Sequence, residues 1–332
     1  MVTAVLVIPA TLTLPVAASF ADPPGPVRAD VRAFALEGIP AGALASTPAP
    51  TTPIPIAGEG HAHERVAVAG PRAKTPDLRA AAAIPATETE AFGLVGITAA
   101  APFDPATRIV LRVKQDGQWL PWMEVPVSDH LPDPDTEEGQ RARFATEPVV
   151  TDGATGVQVR IDTPSGLVPA GTELTMIDNP ERPEDATLAA DTPAATAQAA
   201  VRRPTIITRA QWGADESLRR GTTTYSDTLK VAFVHHVVST NNYTPGQAAQ
   251  QMRNVYSWFT EGIKVNDFGY NFMVDRFGRL YEGRAGGMDR NVVGAHTSGF
   301  NSETFAVSFL GNADSLDPDQ PTKESILDAI SD

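Results

Sequence analysis

The chain has no cysteine among its 332 residues. That absence excludes disulfide frameworks, iron–sulfur clusters, thiol nucleophiles and lipid anchoring through an N-terminal Cys, while leaving the compartment open. Positive charge is also scarce: 26 Lys and Arg stand against 40 Asp and Glu, giving a formal net charge of −14. Residues 1–202 carry 14 cations against 25 anions, net −11; residues 203–332 carry 12 against 15, net −3. With no run of Lys or Arg there is no footprint for DNA or RNA, because phosphate recognition needs clustered cations. Past the first 21 residues no stretch is apolar enough to span a bilayer. No internal repeat is present.

What the sequence does contain is unevenly distributed. Val2 to Phe20 carries no charge, and Ser19-Phe20-Ala21 is a small-x-small ending before Asp22-Pro23-Pro24. Residues 1–21 therefore read as an export signal and place the protein outside the cell membrane, secreted or in the envelope. The missing basic n-region and the breaks at Pro9 and Pro15 depart from that pattern. A membrane anchor is the alternative, and the same prolines disfavour it. Many of the 29 prolines fall in residues 22–87, rich in Ala, Thr and Gly, which read as a disordered arm. His61 and His63 lie there as a solvated pair, with nothing nearby to fix a metal.

Residues 88–178 change to a period of two. Ile109, Leu111 and Val113 alternate with Arg108, Arg112 and Lys114, and Val157, Val159 and Ile161 alternate with Gln158, Arg160 and Asp162. Such alternation predicts half-buried antiparallel strands, here a small all-β sandwich-like domain. Trp119 and Trp122 are read as sheet packing, with a carbohydrate-stacking surface as the alternative. His130, in a loop of Asp and Pro, is expected to be exposed. Residues 179–202 read by composition as a second linker.

From 203 to 332 the pattern is α/β: a central mixed sheet flanked by helices. Lys230 to Val238 (KVAFVHHVV) is a buried-strand pattern ending in His235 and His236, which cannot both face one cleft with equal access. Thr244-Pro245 predicts a helix start, and Ala248, Met252, Val255 and Phe259 recur at helical spacing, burying one face. Short strands follow around Tyr270, Phe272 and Val274, at Leu280 to Glu282, and from Phe305 to Leu310, the last preceded by Gly294-Ala295-His296-Thr297. A further helix is predicted from Thr322. Three histidines and a tyrosine thus sit at strand ends of one unit. Read alone, these side chains fit a packed core as well as a site.

Six ordered blocks decide between those readings: Ile207 to Ala214 (ITRAQWGA), Phe233 to His236 (FVHH), Phe268 to Val274 (FGYNFMV), Leu280 to Arg284 (LYEGR), Val293 to Asn301 (VGAHTSGFN) and Val307 to Gly311 (VSFLG). Their order and spacing resemble the peptidoglycan recognition protein and type 2 N-acetylmuramoyl-L-alanine amidase family. The resemblance implies a zinc-dependent enzyme that cuts the muramyl–L-alanine amide bond of peptidoglycan, with a non-catalytic peptidoglycan-binding protein as the alternative. It also implies roles for particular residues. His235 matches the first zinc ligand, and Tyr270 the tyrosine that lines the catalytic cleft and touches substrate. His236, His296 and Asn301 match groove positions near the muramyl peptide, while Arg209 and Trp212 match structural ones. In the family the second zinc histidine and a Cys or Asp ligand follow the last long helix. The chain ends at Asp332 within that predicted helix. The expectation is therefore a domain incomplete at its C-terminus, with His235 its only assigned ligand, poor zinc binding and little or no turnover.

Overall fold

The structure is a computed structural model that describes residues 28–36, 47, 54–55, 77–190, 205–237 and 240–313. The signal-like residues 1–21, His61, His63 and the helix predicted from Thr322 lie outside the described residues.

The N-terminal half is built mainly of β-strands, as its alternation predicts. Its strands are β1 (Asp30–Ala35), β2 (Ile54–Pro55), β3 (Arg79–Ala99), β4 (Arg108–Gln115), β5 (Gln118–Trp119), β6 (Met123–Glu124), β7 (Phe144–Ala145), β8 (Val149–Thr163) and β9 (Glu173–Asp178). They join in one nine-stranded network in the order β1-β9-β3-β8-β4-β6-β2, with β5 on β4 and β7 on β3. The β3–β8 ladder shifts register four times, at Ala80/Ala82, Ile84/Thr87, Glu88/Phe92 and Phe92/Leu94. Such bulges bend a strand, and the sheet closes over its own core of Phe92, Val95, Ile97, Ile109, Leu111, Val159 and Ile161. Trp119 and Trp122 are half-buried and flank the Arg112 guanidinium at 5.2 and 5.0 Å.

Two boundaries drawn from composition need correction. The 22–87 arm contains Asp30–Ala35, paired along its length with β9, and Arg79 onward, the start of β3. The 179–202 linker begins with Asn179, Arg182 and Asp185, all buried, and a helix α2 (Asp185–Ala190). Ala, Pro and Thr composition mimics a linker because these segments are ordered by partners far along the chain and not by periodicity of their own.

The C-terminal half is a five-stranded mixed sheet of β10 (Ile206–Ile207), β11 (Val231–Val237), β12 (Phe272–Val274), β13 (Leu280–Glu282) and β14 (Thr304–Leu310), ordered β10-β13-β12-β14-β11. β14 is parallel to both neighbours, β11 and β12; β12 and β13 are antiparallel. A four-residue helix, α3 (Arg209–Trp212), opens the half. Thr208 and Gln211 form a capping box, and Gly213 closes the helix at φ +78°, the left-handed conformation that glycine tolerates best. Trp212 donates its indole N–H to the Glu282 carbonyl at 2.8 Å, and Arg209 pairs with Asp267 at 3.0 Å and Glu216 at 2.6 Å.

The long helix α4 (Gln247–Ser257), continued by a π turn over Trp258–Ile263, holds the two halves together. Thr244 forms a reciprocal cap with Gln247, so regular helix starts two residues past the predicted Pro245. The expected single buried face is also an understatement: nearly the whole helix is buried, because it touches β14 on one side and β3, β8 and β9 on the other. Its polar residues are spent on the N-terminal half. Asn254 Oδ1 accepts from the Asn179 backbone N–H (2.9 Å) and side chain (3.0 Å), and Arg253 pairs with Asp185 at 2.6 Å. Gly93 and Gly96 of β3 make the approach possible, since a Cβ there would lie 2.2 Å from the Asn254 amide and 2.4 Å from the Trp258 ring. One apolar core accordingly mixes Leu94, Ala145, Val150 and Ile177 with Trp212, Met252, Trp258 and Phe268.

Candidate active site

Parallel pairing of β11 with β14 sets His235 opposite Ser308 and His236 opposite Phe309. Both histidines are buried, yet they diverge, as strand geometry requires. His235 joins a cluster of rings: its centroid is 5.5 Å from Tyr270, 5.4 Å from His296 and 5.8 Å from the stacked Phe233. His236 turns to the Ala313 backbone N–H, which donates to its Nδ1 at 2.9 Å. Sequence-assigned His235, Tyr270 and His296 are thus brought together, and His236 stands to one side.

His130 is the residue that the sequence misplaces. It is 6% exposed and not solvated. Its ring lies 4.6 Å from that of His235, edge to face, and its Nδ1 is 2.9 Å from the Tyr270 hydroxyl and 3.3 Å from Glu147 Oε1. Nothing local flags it, because every partner that buries it is distant in sequence; His130 and Tyr270 are 140 residues apart. Glu147 was missed for the same reason, whereas Phe233 and Thr297 lie inside the sequence blocks beside His235 and His296 and were given no role there.

The segment around His130 crosses the seam between the halves. Asp129 O accepts from Ser298 N at 3.1 Å, and Asp133 Oδ1 accepts from Gly299 N at 2.8 Å. A short helix α1 (Glu137–Arg141), N-capped by Thr136, presents Glu138 to Arg284 at 2.6 Å and to Asn266 N at 2.8 Å. This strap corrects the role expected of Asn301. The Asn301 Oδ1 accepts from His296 N (2.7 Å) and Thr297 N (3.0 Å), and its Nδ2 donates to Leu131 O (3.0 Å) and Asp133 Oδ1 (2.7 Å). At 1% exposure, with both ends of its amide so used, Asn301 ties the strap down and is not an open groove wall.

Burial dominates the electrostatics. It pushes the Tyr270 hydroxyl well above its ordinary range, assisted by the Glu147 charge, so the phenol stays protonated and able to donate. Burial also opposes charge on His130, but the Glu147 charge and hydrogen bond outweigh it and raise the imidazole. Glu147 shows the converse: burial raises its carboxyl, and His130 more than reverses that. His296 has no such partner. Burial, then the charges of His130 and Arg284, lower its imidazole to about 3, so it is neutral at physiological pH.

A catalytic zinc needs three protein donors around one point. Among the described residues no group of three or more His, Cys, Asp or Glu side chains is placed to hold a metal. His235 Nε2 lies 3.4 Å from Thr297 Oγ1, and the His296 nitrogens face hydroxyls of Thr297 at 3.0 Å and Thr304 at 3.5 Å. The described residues do not fit the metal. No helix among them is long and apolar enough to cross a membrane.

Comparison with known proteins finds two separate matches along the chain. A family model described as Rv3811 N-terminal galactose-binding domain-like matches residues 44–198, and one described as N-acetylmuramoyl-L-alanine amidase matches residues 225–331. The second match holds five of the six sequence blocks; Ile207–Ala214 precedes it. Peptidoglycan-recognition protein SC2 of Drosophila melanogaster is 32% identical over 108 residues, covering 32% of this chain and 55% of that protein. The N-acetylmuramoyl-L-alanine amidase of Mus musculus is 33% identical over 134 residues, covering 38% of this chain and 23% of that protein. The crystal structure of Drosophila peptidoglycan recognition protein SD is 26% identical, with a TM-score of 0.34 over 39% of this chain and 71% of that one. The chain therefore spans little more than half the length of the fly relative. Its C-terminal part matches the N-acetylmuramoyl-L-alanine amidase family model and is similar to peptidoglycan recognition proteins.

Proposed function

We propose that the C-terminal half acts on peptidoglycan as an N-acetylmuramoyl-L-alanine amidase, hydrolysing the amide between the lactyl group of muramic acid and L-alanine. Zinc is the cofactor expected for that chemistry, and the cell envelope or the space outside it is where the substrate lies. The observation that carries the reading is the convergence of Tyr270 and His296 on His235 at the end of β11, their ring centroids 5.5 and 5.4 Å from its own. In this reading Tyr270, held protonated by burial, donates its hydroxyl hydrogen to the oxygen that gains charge as the amide carbon becomes tetrahedral. Phe233 and His296 pack against the buried His235 ring.

A second reading is capture of muramyl peptides without cleavage. One observation favours it: the described donors do not gather into a metal-holding group. The two separate in one experiment. The full chain is incubated with purified cell walls, with zinc or with chelator, and newly freed alanine amino groups are counted alongside protein that sediments with the walls. Zinc-dependent release of alanine amino groups supports the amidase. Sedimentation without release supports capture, and neither result would sink both readings.

A further inference from the structure

His130 and Glu147 form a buried ion pair for which the chemistry above has no use, and both come from the N-terminal half. They are 6% and 8% exposed. Burying two ionisable groups is costly unless each is paired and further hydrogen-bonded. Here the Ser128 side chain also bonds Glu147, and the backbone carrying both groups is fixed. Ser128 Oγ accepts from the His130 backbone N–H at 3.1 Å, Ser128 N donates to Ala145 O at 2.8 Å, and Glu147 N donates to Pro126 O at 3.0 Å. Seam contacts lie on both flanks of the histidine, at Asp129 and at Leu131 with Asp133. The imidazole is thus clamped where it meets the Tyr270 hydroxyl.

The hydrogen-bond roles follow from Glu147. A carboxylate can only accept, so with Glu147 Oε1 at 3.3 Å the proton sits on His130 Nδ1. The Tyr270 oxygen, 2.9 Å from that same nitrogen, then shares this one N–H with Glu147 as its nearer acceptor. The tyrosine's own hydrogen must turn to another group, either the buried Ser308 hydroxyl beside it or an acceptor in the cleft. We propose that His130, anchored by Glu147, is a positioning residue for Tyr270: supplied by the N-terminal half, it fixes the direction in which the tyrosine donates. The site is composite, and the C-terminal half alone lacks this element. The functional part of the inference rests on the oxyanion-supporting role given to Tyr270 above.

Two readouts keep the inference and that reading apart. In the full chain labelled with ¹³Cζ-tyrosine, Tyr270→Phe identifies the Tyr270 resonance among the five tyrosines. His130→Ala is expected to move that resonance and leave the others in place. His130→Asn, which keeps a side-chain N–H close to the Nδ1 position, is expected to bring it part of the way back. On a muramyl-L-alanyl peptide, His130→Ala is expected to lower kcat about tenfold with KM within about twofold, a smaller loss than removal of an oxyanion donor itself. His130→Asn should recover part of that turnover. An unmoved Tyr270 resonance in His130→Ala overturns the inference whether or not the chain cleaves, and so does an unchanged kcat. A wild-type chain that cleaves nothing, with the resonance still moving in His130→Ala, refutes the amidase reading and supports the positioning contact.

Discussion

Replacement of Asp185 by Ala tests the idea that the two halves are one folded unit. Asp185 lies where composition reads a linker, and in a linker its loss would cost nothing measurable. In the structure it is 3% exposed and faces Arg253, 2% exposed, through two bonds: Oδ1 to one guanidinium nitrogen at 3.0 Å and Oδ2 to the other at 2.6 Å. Oδ2 also accepts from the Arg182 backbone N–H at 2.9 Å. Removing one partner of such a buried pair leaves an uncompensated charge, at a cost of about 3–5 kcal/mol. Arg253 keeps two carbonyl acceptors, Trp212 O at 2.9 Å and Pro180 O at 3.0 Å, so the lower end, about 3 kcal/mol, is expected. Urea unfolding followed by tryptophan fluorescence reads this directly, since Trp212 and Trp258 both lie in the shared core. Glu181→Ala, at an exposed position of the same segment, should stay within about 0.5 kcal/mol and serves as the control. Adding Arg253→Met to Asp185→Ala removes the stranded charge and should recover part of the loss. A cost below about 1 kcal/mol for Asp185→Ala would refute the argument and make residues 179–190 a tether.

Three further outcomes follow from the same geometry. Gly96→Ala sets a methyl 2.4 Å from the Trp258 ring and should destabilise by about 1–3 kcal/mol with a change in tryptophan emission, whereas Gly153→Ala, with nothing within 4 Å, should cost only the left-handed strain of about 1 kcal/mol. The imidazole of His296, lowered to about 3, is protonated in the unfolded chain before the folded one as pH falls. Its contribution is thus intact above about pH 6.5 and is lost toward pH 3, by up to about 1.4 kcal/mol per unit. NMR should find no His296 titration between pH 7 and 4.5, and a midpoint near 6.5 would contradict the burial argument. Tyr270→Phe should lower kcat on a muramyl peptide by about 10²–10³ and lower melting only modestly, since His130 Nδ1 keeps Glu147 as acceptor, and full activity in that variant would remove the tyrosine from the chemistry.

Much of the fold was legible in the sequence because the relevant signals are local. Alternation at Ile109–Val113 and Val157–Ile161 marks β4 and β8, and the apolar run from Lys230 marks β11 as a strand, although the burial predicted for it holds only at His235–Val237: Val231 and Val234 are about half exposed. Helix α4 was legible as a helix but not as a helix buried on both sides. Arg253 and Asn254 look like a solvated face until Asp185 and Asn179 are seen to meet them from 68 and 75 residues away. The site divides along the same line. His235, Tyr270 and His296 were reached through the family's blocks. His130 and Glu147 were invisible because their role exists only once the strap between β6 and β7 crosses to the other half. Glycine carried the one neglected hint, as Gly93 and Gly96 in β3 mark a surface approached closely by another element.

The central claim is that the buried ring cluster around His235 is where peptidoglycan fragments act. Its most direct test is titration of the full chain, ¹⁵N-labelled at histidine and ¹³C-labelled at tyrosine, with a soluble muramyl tripeptide. The account predicts saturable shifts at His235, His296 and Tyr270, with His130 moving alongside them. Saturable binding that leaves those four side chains unmoved would contradict it.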